Sequence, residues 1–137
     1  MRDRIVQHDN WATPAYIYEP LMEEFDFDFD PCPLFSKIDG LAVEWGNRNF
    51  VNPPYSRKLK EGFINKAYQE SLNGKLSVML LPVSTSTKIF HDVIYPNAEI
   101  RFVKGRINFL PNGVQSNKYK GGQMDSMVVI FRPRGLV

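Results

Sequence analysis

The stretch that decides the fold is RNFVNPPYSRKLKEGFINKAYQESLNGKLSVMLLPV, residues 48–83. Its pattern predicts a short strand over residues 48–52, an amphipathic helix over 57–74 that ends with Gly74, and a buried strand over 75–83. The second strand is an unbroken apolar run, which suits a sheet that is covered on both faces. Strands that alternate with helices indicate an α/β fold with a mostly parallel sheet of the doubly wound type.

A rigid corner ends the first of these strands. Proline has no N–H to donate to a sheet, so Pro53 and Pro54 stop the strand at Asn52 and force an extended turn. Ligands of doubly wound sheets bind outside the carboxyl ends of the strands. Asn52 stands at such an end, and so does Asp30, the last residue of the alternating sequence FDFDFD (25–30). We expect this alternation to form a strand with its phenylalanines on one face.

Shorter patterns predict the remaining elements. Thr13 and Pro14 indicate a helix start, with threonine as the N-cap and proline at the first helical position. A short helix is predicted over 85–95, and further strands are predicted over 99–105 and 126–133.

The composition is that of one globular domain, residues 1–137. A net charge of +2 permits a polyanionic partner without requiring one. The single cysteine excludes an internal disulfide and a thiolate zinc cluster, and we predict no metal site. No stretch resembles a signal peptide or a membrane span, so we expect a cytoplasmic protein without a membrane partner.

The corner has the chemistry to bind a planar amine. The carboxamide oxygen of Asn52 and the backbone carbonyl of Pro53 offer two acceptors, which would draw an exocyclic amine toward tetrahedral geometry and free its lone pair for attack. The ring of Tyr55 could stack on a flipped base. The alternative is that Asn-Pro-Pro-Tyr is only a turn with a packed tyrosine.

Asn-Pro-Pro-Tyr after a strand resembles the catalytic motif of amino-methyltransferases that use S-adenosylmethionine. These include DNA adenine-N6 enzymes and protein glutamine methyltransferases. An ordered series of blocks across most of the chain resembles, more specifically, the phage-type (Dam-like) DNA N6-adenine methyltransferases. The blocks are NWATP (10–14), FDPCP (29–33), DGL (39–41), FVNPPYS (50–56), LLPVSTSTKIFHD (80–92), RFVKGRINF (101–109) and SMVVIF (126–131).

The resemblance implies a compact Rossmann-like methyltransferase fold that lacks one or more elements of the full fold. It also implies S-adenosylmethionine as cofactor, DNA as partner, and transfer of a methyl group to N6 of a flipped adenine. If the chain is phage-encoded, its cytoplasm is that of the host. The sequence departs from the usual pattern because DPCPLFSK (30–37) contains no glycine-rich cofactor loop.

The same resemblance assigns roles to single residues. Three residues of the corner would hold the adenine: Asn52, Pro53 and Tyr55. Six residues would bind the cofactor, the first three closing over its methionine end: Trp11, Thr13, Pro14, Asp30, Cys32 and Asp39. From the residues alone, Asp30 could instead bond within a turn, and Cys32 could be a buried small side chain.

Basic residues lie beside the corner and in residues 105–124, which we expect to be a mobile loop and a candidate recognition element. Their concentration fits phosphate contacts, although such residues can also be solubilising surface. The candidates for DNA contacts are Arg57, Lys58, Lys104, Arg106, Lys118 and Lys120. Recognition could also fall to a second subunit of a homo-oligomer.

Other functions remain open at this point. One is methylation of a different planar amine or amide, in a protein glutamine or in RNA. Another is a non-catalytic relative that binds DNA or cofactor without turnover.

Overall fold

The computed structural model describes residues 11–33, 39–54, 56–108, 110–111 and 123–134. Its strands are β1 (Trp11–Ala12), β2 (Arg48–Val51), β3 (Leu76–Pro82), β4 (Glu99–Phe102), β5 (Ile107–Asn108), β6 (Leu110–Pro111), β7 (Gln123–Met124) and β8 (Ser126–Phe131). Its helices are α1 (Ala15–Phe25), α2 (Arg57–Leu72), a π-helical segment (Phe90–Ile94) and its continuation α3 (Tyr95–Asn97). In these ranges, no helix is long and apolar enough to cross a membrane.

The main sheet has four strands in the order β2-β3-β8-β4. β2 and β3 are parallel, with Phe50 opposite Val78, and α2 connects them. The expected mostly parallel sheet is not confirmed, because β8 lies between β3 and β4 and is antiparallel to both. It follows that β2, β3 and β4 run in one direction and only β8 runs against them. The fold is therefore mixed α/β, and the carboxyl ends of β2 and β3 share one edge of the sheet.

Both faces of β3 are buried, as its apolar run predicts. Val78 and Leu80 pack into a cluster with Leu21 and Phe25 of α1. Their neighbours in β3, Met79 and Leu81, pack on the opposite face, against α2 and the π-helical segment. The helix predicted over 57–74 is confirmed as α2, and Gly74 after it has a φ of +84°, a left-handed conformation that favours glycine.

The strand predicted for FDFDFD is wrong over most of its length. Phe25 is the last residue of α1, and Asp26 closes that helix with a φ of +54° and an N–H bonded to Met22 O. Within this stretch the one β-bridge is formed by Phe29, which pairs in parallel with Asn49 of β2, and the N–H of Asp28 donates to Arg48 O at 2.8 Å. Phe27 packs on the α1 side and Phe29 on the α2 side, so the phenylalanines do not share a face.

The helix start is displaced by one residue from the prediction. Pro14 occupies the N-cap position with extended backbone, and α1 begins at Ala15. Thr13 therefore does not cap this helix, and its hydroxyl has a different partner, described below.

Residues 39–47 form turns and irregular structure, with neither a helix nor a strand. The indole of Trp45, 2% exposed, donates to Gly40 O at 2.7 Å. The ammonium group of Lys66 in α2 donates to Leu41 O and Val43 O at 3.1 and 2.8 Å. These bonds satisfy backbone carbonyls that have no place in a sheet or helix.

The two described ends of residues 105–124 are paired with other strands, and the mobility of the loop stays a prediction. Ile107 is fully buried, and β5 pairs with β7 in an antiparallel ladder. β6 pairs antiparallel with β1, with Leu110 opposite Ala12. Residues 112–122 of the loop lie outside the described residues.

Candidate active site

The corner at the end of β2 carries the best-defined polar contact near the sheet edge. Asn52 is half-buried, and Pro53 beside it is buried. The amide Nδ2 of Asn52 donates a hydrogen bond of 2.9 Å to Thr13 Oγ1. Because the amide nitrogen is the donor in this bond, the acceptor function of the carboxamide belongs to Oδ1. The structure thus unites a predicted catalytic residue with a predicted cofactor residue, while Tyr55 lies outside the described part of the chain.

Packing of α1 against β2 holds Thr13 in place. Pro14 is buried, and its carbonyl accepts the N–H groups of Ile17 and Tyr18, both at 3.0 Å. The ring of Tyr18 meets Phe50 of β2 edge-on, with centroids 5.0 Å apart and an interplanar angle of 83°. This is a favourable aromatic geometry, and it fixes the start of α1 beside the strand that leads to Asn52.

Asp30 lies on the segment next to β2, at the same edge of the sheet. The N–H of Phe50 donates to Phe29 O at 3.0 Å, which sets Asp30 directly beyond this contact. Its Oδ1 accepts the N–H of Cys32 at 2.8 Å. The alternative that Asp30 bonds within a turn is therefore confirmed, and a cofactor contact by this residue stays a prediction.

Cys32 has the environment of an inert thiol. Burial, reinforced by the charge of Asp30, raises the pKa of Cys32 far above its ordinary value. The side chain packs against the cluster on the α2 side of the sheet. A protonated, packed thiol is not a nucleophile at neutral pH.

Asp39 lies in a second turn that touches the turn of Asp30. Its Oδ1 accepts the N–H of Leu41 at 3.0 Å, and the residue is exposed. Gly40 packs so closely that a Cβ there would lie 2.1 Å from Pro31 O. The structure therefore brings the two predicted cofactor carboxylates onto adjacent turns. The side chain of Trp11 lies outside the described residues, so its predicted contact is untested.

The described basic candidates do not form one cluster at the corner. Arg57 and Lys58 are exposed in the first turn of α2, directly after the corner. Lys104 and Arg106 are exposed after β4, the outer strand of the main sheet farthest from β2, and Arg106 pairs with Asp125 at 3.4 Å. Lys118 and Lys120 lie outside the described residues.

A comparison with family models gives a match to the DNA N-6-adenine-methyltransferase (Dam) family over residues 3–135. The chain belongs to this family. A comparison with curated proteins found no match. The family match confirms the resemblance seen in the sequence, and it identifies the chain as a DNA N6-adenine methyltransferase in kind.

This Dam-family chain has a cavity that the sequence did not reveal. It measures about 470 Å³ and lies between α2, the carboxyl end of β3 and the segment that follows β3. Its lining includes hydroxyl groups in the sequence STST, residues 84–87, which was recognised only as part of a family block. Three separate stretches of sequence meet around it, so no single stretch could indicate it. The lining residues are Arg57, Lys60, Glu61, Ile64, Leu81, Pro82, Ser84, Ser86, Thr87, Lys88, Ile89, Phe90, Ile94 and Met127.

The described ranges contain no group of three or more His, Cys, Asp or Glu side chains that could hold a metal ion. His91 is exposed on the π-helical segment and stacks edge-on against Phe90, with centroids 5.5 Å apart.

Proposed function

We propose that this Dam-family protein transfers a methyl group from S-adenosylmethionine to N6 of a DNA adenine that is flipped into the Asn-Pro-Pro-Tyr corner. The observation that carries the proposal is the Asn52–Thr13 hydrogen bond of 2.9 Å at the carboxyl end of β2. It fixes the carboxamide of a family-type motif in one orientation. The family match favours adenine over a protein glutamine.

The corner would act by holding the exocyclic amine. Asn52 Oδ1 and the carbonyl of Pro53 accept the two N6 hydrogens, so the nitrogen turns pyramidal and its lone pair becomes available. Tyr55 would stack on the adenine, as aromatic side chains do with flipped bases. The methyl group would pass from the sulfur of the cofactor to N6, and N6 would then give one proton to solvent. When bound, the cofactor supplies an activated methyl group on a positively charged sulfur.

The residues at the sheet edge fit this cofactor. Carboxylate oxygens accept hydrogen bonds from ribose hydroxyls, and Asp39 is exposed with one oxygen already fixed by Leu41 N–H. Asp30 is held on the adjacent turn. S-Adenosylmethionine has no phosphate, so a glycine-rich loop that cradles phosphate is not required by its chemistry. Trp11, Thr13 and Pro14 would close over its methionine end.

Further expectations belong to this proposal. The sheet, in which β8 alone runs against the other three strands, supports a reduced Rossmann-like methyltransferase fold formed by one domain. A cytoplasmic location, a phage origin and a homo-oligomeric state remain predictions.

Analysis of nucleosides tests the proposal. The protein is incubated with methyl-labelled cofactor and DNA of mixed sequence, and the DNA is then digested and separated. We expect the label in N6-methyldeoxyadenosine, and none with Asn52→Ala. Label in another nucleoside, in the protein alone, or nowhere would refute the proposed function.

A further inference from the structure

None of the described residues of the corner lines the cavity beside α2. Asn52, Pro53 and Pro54 are not among its lining residues. The amide of Asn52 reaches Thr13 at the start of α1. The cavity lies on the α2 side, since its floor belongs to the cluster on that face of the sheet. An adenine at Asn52 would therefore leave the cavity open to a neighbouring part of the same substrate.

The floor of the cavity is apolar and rigid. Its members are between 1% and 6% exposed and come from α2, β3, the π-helical segment and β8. The cavity volume of about 470 Å³ lies within the range of roughly 300–1,000 Å³ that is usual for small-ligand sites. Such a floor suits the flat face of a nucleobase. The floor residues are Ile64, Leu81, Phe90, Ile94 and Met127.

The rim of the cavity has more positive than negative charge. Three cations line it, and Glu61 is the one carboxylate among the lining residues. Arg57 pairs with Glu61 at 3.3 Å, and Lys88 pairs with Asp92. Lys60 is half-buried and forms no ion pair with another described residue. This excess favours an anion, and Lys60 is the cation best placed to meet it.

Hydroxyl groups complete the rim on the side of β3. Ser84, Ser86 and Thr87 all line the cavity. Thr87 Oγ1 donates to Ser84 O at 2.9 Å and accepts the N–H of Phe90 at 3.3 Å, which fixes this segment over the floor. An apolar floor below a rim of cations and hydroxyls matches a base joined to a phosphate.

We propose that this cavity binds the nucleotide next to the target adenine, with its base on the floor and its phosphate near Lys60. This inference rests on the proposed function, because it takes DNA as the substrate. The position supports it: Arg57 begins the helix that follows the corner, and Pro82 ends the strand that pairs with β2. A DNA strand with one base at Asn52 would pass the cavity with the next.

Binding of abasic DNA to a blocked variant tests the inference. Ser86 is exposed at the rim, so Ser86→Trp should fill the cavity without disturbing the core. Affinities are measured by fluorescence anisotropy on oligonucleotides that contain one adenine, intact or with an abasic site at either flanking position. We expect wild type to lose about ten-fold in affinity when the base at one flank is removed, as for loss of one stacked base. Ser86→Trp should bind intact and abasic DNA with the same affinity. An equal loss of affinity on abasic DNA in wild type and in Ser86→Trp would overturn the inference.

A second pair of variants keeps the shape of the cavity. Lys58 lies in the same turn of α2 as Lys60 but does not line the cavity, so Lys58→Gln is a matched control for Lys60→Gln. Either substitution weakens DNA binding overall if it removes a phosphate contact. Only Lys60→Gln should reduce the difference between intact and abasic DNA. If both variants show the same difference in affinity between intact and abasic DNA, the proposed phosphate site near Lys60 is refuted.

The outcomes separate this inference from the proposed function. Methyl transfer to adenine without any cavity-dependent abasic effect would leave the function standing and refute the cavity. A cavity-dependent effect of the abasic site without methyl transfer would support the cavity and refute the proposed function. A free deoxynucleoside monophosphate that binds wild type but not Ser86→Trp should compete with DNA. If it binds without competing, the cavity serves a free nucleotide and the inference is wrong.

Discussion

The carboxamide of Asn52 and the hydroxyl of Thr13 are joined by a hydrogen bond of 2.9 Å, although the two residues are 39 positions apart. Asn52 directly follows β2, and Thr13 leads into α1, so the bond ties a strand end to the segment that would cover the cofactor. It sets the amide nitrogen of Asn52 toward α1. We infer that Thr13 positions the carboxamide for its work on the adenine amine.

Replacement of Thr13 should show this positioning role. Thr13→Val keeps the shape of the side chain but removes the acceptor. We expect turnover at saturating cofactor to fall roughly five-fold, the equivalent of about 1 kcal/mol for a neutral hydrogen bond. Thr13→Ser should retain most of the activity because it keeps the hydroxyl. Equal activities for the valine and serine variants would show that the bond does not matter for turnover.

The contact between the turns of Asp30 and Asp39 predicts a difference between glycines. Gly40→Ala would bring a Cβ to 2.1 Å from the backbone oxygen of Pro31 and close to the ring of Phe63. We expect a loss of about 1–3 kcal/mol in the free energy of unfolding, as for an overpacked core. Gly62→Ala is the control, because its Cβ would meet only the flexible end of Leu41, at 3.1 Å. Urea unfolding that ranks the two variants equally would contradict this packing.

An ion-pair network ties α1 to the edge of the sheet and predicts an acid-dependent loss of stability. Arg101 makes two hydrogen bonds to Glu24, at 2.8 and 2.9 Å, and one to Glu99, at 2.8 Å. Hydrogen bonding to Arg101 holds the pKa of Glu24, and that of Glu99, below the ordinary value of 4.5. A carboxyl group whose pKa is lowered by folding stabilises the fold at pH values above its pKa in the unfolded state. This stabilisation is lost as the pH falls through its pKa in the folded state.

Glu24→Gln should therefore weaken the acid dependence below pH 4.5, the ordinary glutamate value. Urea unfolding between neutral and acidic pH measures the effect, which we expect to be small because these groups are exposed. Glu19→Gln, at an exposed site on the same helix without an ion pair to a described residue, is the matched control. An unchanged acid slope in Glu24→Gln would show that the network does not contribute.

Two lysines of the basic loop that lie outside the described residues offer a further test. Neutralising Lys118 and Lys120 together should weaken DNA binding for all sequences. The salt dependence should flatten by roughly one unit of slope per lost phosphate contact. Cofactor affinity should stay the same, since the charges are not on the turns of Asp30 and Asp39. Normal DNA binding at every salt concentration would assign recognition to another surface.

Much of the fold around β2, α2 and β3 could be predicted because local patterns there agree with tertiary packing. The apolar run of β3 is buried on both faces, and Gly74 adopts the left-handed conformation that ends a helix. FDFDFD was misassigned because alternation carries no information on where a preceding helix stops. Asp26 takes a left-handed conformation, which few non-glycine residues adopt, and this lets α1 run through Phe25.

The candidate site could be predicted only for residues whose position depends on one stretch of sequence. Asn52 directly follows β2, as its own neighbours in sequence predict, whereas the strand expected to end at Asp30 is reduced to the single bridge of Phe29. The partner of Thr13 could not be predicted, because its hydroxyl suits a helix cap as well as a distant amide. The antiparallel position of β8 between β3 and β4 likewise depends on pairing between strands that are far apart in the sequence. The cavity needs α2, β3, β8 and the π-helical segment together, so it appears only in three dimensions.

Single-turnover methyl transfer by Asn52→Ala tests the central claim most directly. The variant removes the oriented carboxamide but leaves the turns of Asp30 and Asp39 intact. We predict that the rate on adenine DNA falls by ~10²–10³, as for loss of an oriented transition-state hydrogen bond. Cofactor affinity should stay within a few-fold, and the melting temperature should be close to that of wild type. A wild-type rate in Asn52→Ala would contradict the assignment of the corner as the catalytic site.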